Sequence, residues 1–366
     1  VGGSNYRLQS TGGSYKPGIG WTGDGADSPG LDRGDPRLPY GLETAPNGGT
    51  TNLGAFGNTP EASRSSGKTG RNFYVNESSV EYDYFCSTSG LPWPAHNGLG
   101  PASPLDSVQA VFANYAVSGG DSIFIDTGLY NISSSIAVSV SGSAGNPVTL
   151  TGSPEGAIFD ARSSATNCLS ASSASYLSLN GLQFINAKSS GISATSSDYL
   201  LVSGCRVATA GIHGISIAGS KKILLRDNQL VFNKSAGISC NQCSDDSELN
   251  ANTAQENQNH GFYIYLGTGI QIIRNRALAN TGQGIYLYAV GGYNTIAGNT
   301  SDSNTGTGIL CLQSPSDVSD NTVCGNGSNS IRLSTFNNRT ISGNVCSSMI
   351  NSHVRKQRFF IAEHVK

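Results

Sequence analysis

Four tyrosines recur in one short stretch of this 366-residue chain: Tyr263 and Tyr265, then Tyr286 and Tyr288, each 23 residues further on. Each pair brackets an apolar residue, so on an extended strand both rings of a pair point to the same side. If the two segments are neighbouring strands in register, they build a two-by-two aromatic platform with rungs roughly 4.8 Å apart. Flat rings with phenolic hydroxyls can stack on sugar rings and hydrogen-bond their edges. Stacked aromatics also serve simply to hold adjacent strands together, and the residues alone leave both uses open. Beside the tyrosines lie His260 and Glu256. An imidazole with an unperturbed pKa of roughly 6.5 suits a general base next to Tyr263 and Glu256. The same column holds Ala236 and Gln283, which makes an ordinary surface histidine the competing reading. His213 shares that column two rungs away, about 9–10 Å, too far for one metal ion that needs ligands near 2 Å.

Arg206 and Arg276 fall three rungs apart, about 14 Å, in another outward column. They could read the carboxylates of an acidic polysaccharide, or be solvated charges. Asp245, Asp246 and Glu248 form a dense acidic turn whose oxygens would suit calcium; the other reading is a solvated turn. The cofactor expectation is therefore none or calcium. Cys240-x-x-Cys243 has no second pair at zinc-ribbon spacing, which argues against a zinc site. Cys240 and Cys311 take a position otherwise filled by Ile217, Ile264, Leu287 and Leu333, so they read as small core residues. The eight cysteines leave the redox compartment open.

The elements that must position these residues follow from a repeat. Glycine followed by an apolar residue recurs at Gly191, Gly214, Gly237, Gly261, Gly284 and Gly308, in steps of 23 or 24, with Ser330-Ile331 as a degenerate seventh. Asparagine keeps the same rhythm at Asn228, Asn252, Asn275, Asn299, Asn321 and Asn344. A second asparagine column, from Asn233 to Asn326, lies four residues before the glycines. A fixed period of this size means stacked coils. In the coil 198–220, Leu200 and Val202 alternate inward, Cys205 and Val207 follow a turn, and Ile215 and Ile217 follow Gly214. Period-two alternation in three short pieces per coil describes an all-β parallel β-helix of about 23 residues per coil. Leucine-rich repeats have a similar period but need several leucines per repeat. Stacked asparagines are expected to bond from coil to coil while tolerating left-handed backbone.

Composition sets outer limits. Charged residues make up 13% and the net charge is −2, which argues against a nucleic-acid partner, since phosphate binding needs a clustered basic surface. No run approaches eighteen apolar residues, so no membrane span is expected. Residues 1–66 are irregular and rich in Gly and Pro, and 67–106 read as a linker and entry segment. The β-helix is expected over 107–350, opening with a short amphipathic helix-like segment at 108–112, and 351–366 form a tail or cap. The start at Val1 is that of a fragment or a processed form.

The Asn…Gly-Ile repeat resembles the right-handed parallel β-helix repeats of pectin-lyase-like proteins, a class that includes carbohydrate-binding proteins and sugar hydrolases. Asn97-Gly98-Leu99-Gly100-Pro101 and, further on, Gly120-Asp121-Ser122-Ile123-Phe124 are similar to the N-terminal entry segment of that class. Residues 35–66 look like the closing segment of another such domain, which would make this chain part of a longer multi-module protein. The catalytic patterns of the class do not carry over. No stacked aspartate trio of the hydrolase type and no Asp-Pro-His signature of the epimerase type is present, and the sole dense acidic cluster is Asp245, Asp246 and Glu248. The resemblance implies an extracellular or cell-surface protein whose partner is a polysaccharide or cell-surface glycan. A polysaccharide lyase or glycoside hydrolase is its catalytic form. The alternative is a non-catalytic adhesin or spacer module of a large surface protein.

Overall fold

A strand of three or four residues buries one or two side chains on one face, so it is stable only when many such strands stack. The computed structural model describes residues 7–28, 30–31, 52–53, 55–57, 59–64, 70–162, 164–334, 340–346 and 360–361. It divides into two compact units, Val1–Gly128 with Gly142–Glu155, and Leu129–Ser141 with Gly156–Lys366. These limits differ from the boundaries expected near residues 66 and 107.

In the second unit each coil between Leu177 and Ser334 contributes one strand to each of three parallel sheets. One coil consists of Leu201–Ser203 in the first sheet, Arg206–Ala208 in the second and Ile215–Ala218 in the third. Each strand pairs in parallel with its counterpart one coil on: Leu201 with Leu224, Arg206 with Gln229, and Ile215 with Ile238. This is a parallel β-helix, as the period requires. Its core is made of inward rows such as Ile217, Cys240, Ile264, Leu287 and Cys311, all buried and in register. Each fully buried Leu or Ile contributes about 1.5–3 kcal/mol relative to exposure. Cys240 and Cys311 are free thiols within that core. Cys324 and Cys346, one coil apart, form a disulfide, a pairing that the sequence reading left open.

The repeated glycines stand where the next coil passes too close for a side chain. A Cβ on Gly261 would lie 2.6 Å from the carbonyl oxygen of Gly284, and one on Gly284 would lie 2.7 Å from that of Gly308. Both asparagine columns are continuous ladders. Asn228, Asn252, Asn275, Asn299, Asn321 and Asn344 each pass a side-chain hydrogen bond to the next, at 2.8–3.1 Å. Asn233 to Asn326 do the same at 2.9 Å. Contrary to expectation, the ladder asparagines are not the left-handed residues. Those are the residues just before them, Asp227, Ala251, Arg274, Gly298 and Asp320, with φ between 55° and 65°. The turn thus demands a left-handed residue and then an amide, in that order.

The first unit contains an antiparallel hairpin, Ser14–Lys16 with Gly20–Thr22, and three parallel strands, Asn72–Val75, Ser122–Ile125 and Val148–Gly152. The buried strand Asn72–Val75 lies inside the stretch read as a linker. The helix expected at 108–112 runs over Val108–Asn114, capped by the Ser107 hydroxyl, which accepts from the Ala110 N–H at 3.3 Å. Most of the segment read as the close of a preceding module, and most of the expected C-terminal cap, lie outside the described residues. Phe360–Ile361 pairs with Ile331–Ser334. Among the described residues no helix is long and apolar enough to cross a membrane.

One carboxyl of the first unit is held against its preference. Burial pushes Asp83 up to about 6, opposed by the Asn76 hydrogen bond and reinforced by the charges of Asp126 and Glu77. In the unfolded chain the group titrates near 3.9. Between those values the folded state binds the proton more tightly, so this group's contribution to stability falls as pH rises from about 4 to 6. Asp83→Asn is therefore expected to raise the urea midpoint relative to wild type more at pH 7.5 than at pH 4.5. Equal shifts at both pH values would contradict this.

Candidate functional site

Strands Phe262–Tyr265 and Ile285–Tyr288 are adjacent in the third sheet, with Tyr263 opposite Tyr286 and Tyr265 opposite Tyr288. Alternation buries Phe262, Ile264, Ile285 and Leu287 and turns the four tyrosines outward, where all are half-buried. Tyr263 and Tyr286 have ring centroids 5.3 Å apart at 28°, and Tyr265 and Tyr288 5.6 Å apart at 9°. These are offset stacks in which each ring covers part of its neighbour's face. Part of each ring and its hydroxyl therefore stay open along the outer rim. Burial, and then the neighbouring phenols, raise the Tyr263 and Tyr286 hydroxyls above the ordinary value, so both stay protonated donors at neutral pH.

The platform sits in a graded column. Going backwards from Tyr263 the same outward position holds Ser239, Ser216, Ser193 and Ser170; going forwards from Tyr286 it holds Leu310 and Arg332. The aromatic rows are thus a raised step, with small serines on the coils before it and the leucines Leu310 and Leu312 on the coil after it.

His260 joins the step at its side. Its ring lies 5.3 Å from Tyr263 and 5.1 Å from Tyr286 between centroids. Its Nδ1 accepts the backbone N–H of Gln283 at 3.1 Å, and His213 Nδ1 accepts that of Ala236 at 3.3 Å in the same way. Burial, and then the nearby His213, lower His260 to about 4. A neutral imidazole whose Nδ1 accepts must carry its proton on Nε2. At neutral pH His260 is therefore a hydrogen-bond donor to whatever meets its outer edge, and a weak base. Glu256 stands at an exposed corner with φ 53°, and its carboxylate accepts from the Gln255 side chain at 2.6 Å. Among the described residues no ion pair joins it to His260. In the unfolded chain His260 titrates near 6.5, so its contribution to stability is present above that value and is lost as pH falls towards 4. Its ring resonances are expected to stay flat from pH 8 to 5 and to move near pH 4. A midpoint near 6.5 would contradict the described burial.

The other site candidates lie elsewhere. Arg206 and Arg276 share one outward column of the second sheet, three coils apart, through Gln229 and Thr253. They are not on the tyrosine face. Asp245 and Asp246 occupy left-handed turn positions, and the Asp245 carboxylate lies 3.4 Å from Lys221 Nζ. Glu248 opens the strand Glu248–Asn250 and accepts from the Asn250 amide at 2.5 Å. Among the described residues no three His, Cys, Asp or Glu side chains converge on a point that could hold a metal ion.

A second aromatic surface escaped the sequence reading. Tyr176 and Tyr199, one coil apart at the corner between the third and first sheets, stack at 4.3 Å and 6°, and Lys222 Nζ lies 5.5 Å over the Tyr199 ring. The 23-residue spacing of 176, 199 and 222 is the signal that would have found it.

With sheets, ladders and inward rows in place, the class is a parallel β-helix. Residues 116–277 and 167–319 match the right-handed β-helix region family, overlapping so as to span 116–319, more than half of the chain. The chain belongs to that family. Among solved structures it is similar to a double mutant of the periplasmic alginate epimerase AlgG, at 16% identity and TM-score 0.50 over 62% of this chain and 61% of that one. It is also similar to pectate lyase Pel9A, at 14% identity and TM-score 0.48 over 76% and 79%, and to a rhamnogalacturonan lyase, at 12% and 0.47 over 78% and 90%. At these identities the likeness is one of fold. The chain spans about three-fifths of the length of the AlgG structures it matches. No curated protein sequence matches the chain.

Proposed function

We propose that this β-helix binds a polysaccharide through the third-sheet face formed by Tyr263, Tyr265, Tyr286 and Tyr288, in an extracellular or cell-surface setting. The observation that carries this reading is the pair of in-register tyrosine stacks on an exterior surface, where the four preceding coils hold only serine at the position of Tyr263 and Tyr286. Ladder stability alone does not call for four large aromatics, since Ser170, Ser193 and Ser216 occupy the same column without them. Open ring area, protonated phenols and the Nε2–H of His260 together suit a sugar, which is apolar on its ring faces and hydroxylated at its edges.

The reading is one of binding. Residues 257–273, 277–301 and 303–316 contain no Asp or Glu, so this face offers no carboxylate pair for glycoside hydrolysis. The non-catalytic adhesin or spacer is the second reading, favoured by the uniform serine column and the two unbroken asparagine ladders. A panel of immobilised neutral and acidic polysaccharides separates the two. Retention by wild type and its loss in Tyr263→Ala/Tyr286→Ala supports binding at this face. Retention that survives the double substitution rejects the site, and no retention of any glycan favours the spacer.

A further inference from the structure

Charge on the tyrosine face is distributed in a way that narrows the ligand. The three coils that carry Tyr263, Tyr286 and Leu310 have no Lys, Arg, Asp or Glu in residues 257–273, 277–301 or 303–316. Those spans include the third-sheet strands Phe262–Tyr265, Ile285–Tyr288 and Ile309–Leu312 and the turns on either side of each. The charges that interrupt them, Arg274, Arg276 and Asp302, lie on the second sheet or at its corner with the first. The coil before is also uncharged from 235 to 244. Among the described residues, the cations nearest this column are Lys234, exposed in the turn five residues ahead of Ser239 and one coil earlier, and Arg332, in the column two coils beyond Tyr286. Arg332 is thus about 9.6 Å along the axis from Tyr286, close to the screening length at physiological salt, and Lys234 lies outside the outward column, before its strand begins. His260 adds hydrogen-bonding capacity without charge, because its buried ring is neutral at neutral pH.

We infer that the glycan taken by this face is uncharged: a neutral polysaccharide, not a polyuronate. This rests on the tyrosine-face reading and adds the ligand's chemical class. A uronate carboxylate brought against the tyrosine step would give up water with no cation on the coils of Tyr263 and Tyr286 facing it, and an unpaired charge that loses solvent is penalised far more than a hydroxyl. Hydroxyls, by contrast, find donors in the phenols, in His260 Nε2–H and in the side-chain amide of Gln283. The second sheet, which does carry Arg206 and Arg276, is a separate face, so its cations do not complete the site.

The test is calorimetric titration of wild type and of Tyr263→Ala/Tyr286→Ala with two probe sets, neutral gluco-, manno- and xylo-oligosaccharides and oligogalacturonates or oligoalginates. Each is run at about 50 and 500 mM salt, where the screening length changes severalfold. The expected result is that a neutral oligosaccharide binds wild type, that its Kd shifts less than about twofold with salt, and that the double variant loses at least about tenfold in affinity. Oligouronate binding that the double variant loses and that falls steeply with salt overturns the neutral assignment while leaving the tyrosine face as the site. Binding of either class that the double variant leaves intact, or no binding of either, removes the tyrosine-face reading and this inference with it.

Discussion

Asn275→Ala is expected to destabilise the β-helix by about 3–5 kcal/mol, the largest stability effect we anticipate from a single substitution in this chain. Asn275 is buried and bonded on every side. Its Oδ1 accepts the Asn252 backbone N–H and the Asn252 amide, both at 2.9 Å. Its Nδ2 donates to the carbonyls of Leu249 and Ile273 and to Asn299 Oδ1 at 2.8–3.1 Å. Alanine leaves a buried backbone N–H and an amide N–H of Asn252 without an acceptor, and removes the donor to two carbonyls. Each buried group left unpaired costs about 1–3 kcal/mol, and the ladder transmits the defect to the coils on both sides. Asn275→Asp does not rescue it, because the carboxylate lacks the donors and carries a buried charge. Urea unfolding measures the effect, with exposed Asn259→Ala as a control expected to stay within about 0.5 kcal/mol. A change as small as the control's would mean that the ladder is a consequence of the fold and not one of its supports.

The second large effect concerns binding. Two ring contacts at about 0.5–1.5 kcal/mol each, with the hydroxyl bonds that accompany them, set the loss from Tyr263→Ala/Tyr286→Ala at about tenfold or more. Tyr263→Phe/Tyr286→Phe separates the contributions: it keeps the rings and removes the phenol donors, so it is expected to lose only a few-fold. If the phenylalanine variant fell as far as the alanine one, hydroxyl bonding and not ring contact would carry recognition. Some loss of stability accompanies the alanine variant, because each stack also ties adjacent strands together. Binding is therefore compared well below both melting temperatures.

The sequence carried the scaffold further than the site. Period, inward rows and ladder positions were all legible, because a solenoid writes each structural requirement once per coil and repetition makes it visible. The role of the turn residues was not. Asparagine is the familiar left-handed residue, yet Ala251 and Arg274 take that conformation while Asn252 and Asn275 supply the amides. The strand Asn72–Val75 was missed because its partner, Ser122–Ile125, is 50 residues away and outside the repeat. The Cys324–Cys346 pair follows from register, since the two lie one coil apart, but cysteines scattered among core thiols gave no reason to pick them out.

At the site, sequence alone placed the four tyrosines on neighbouring strands, and their pairing follows from the register. It could not say whether His260 met Glu256 or the tyrosines. That depends on a corner, where Glu256 turns out at positive φ while His260 folds back onto the Gln283 backbone. The arginines were legible as a separate outward column on the preceding strand, and the register places them in the second sheet.

Whether a glycan binds on the third-sheet tyrosines is decided by the structure of the chain with a bound neutral oligosaccharide. A sugar ring is expected in contact, at about 3.5–4.5 Å, with the rings of Tyr263 and Tyr286 and within hydrogen-bond reach of their hydroxyls. A sugar seated instead beside Arg206 and Arg276, or on Tyr176 and Tyr199, would contradict it.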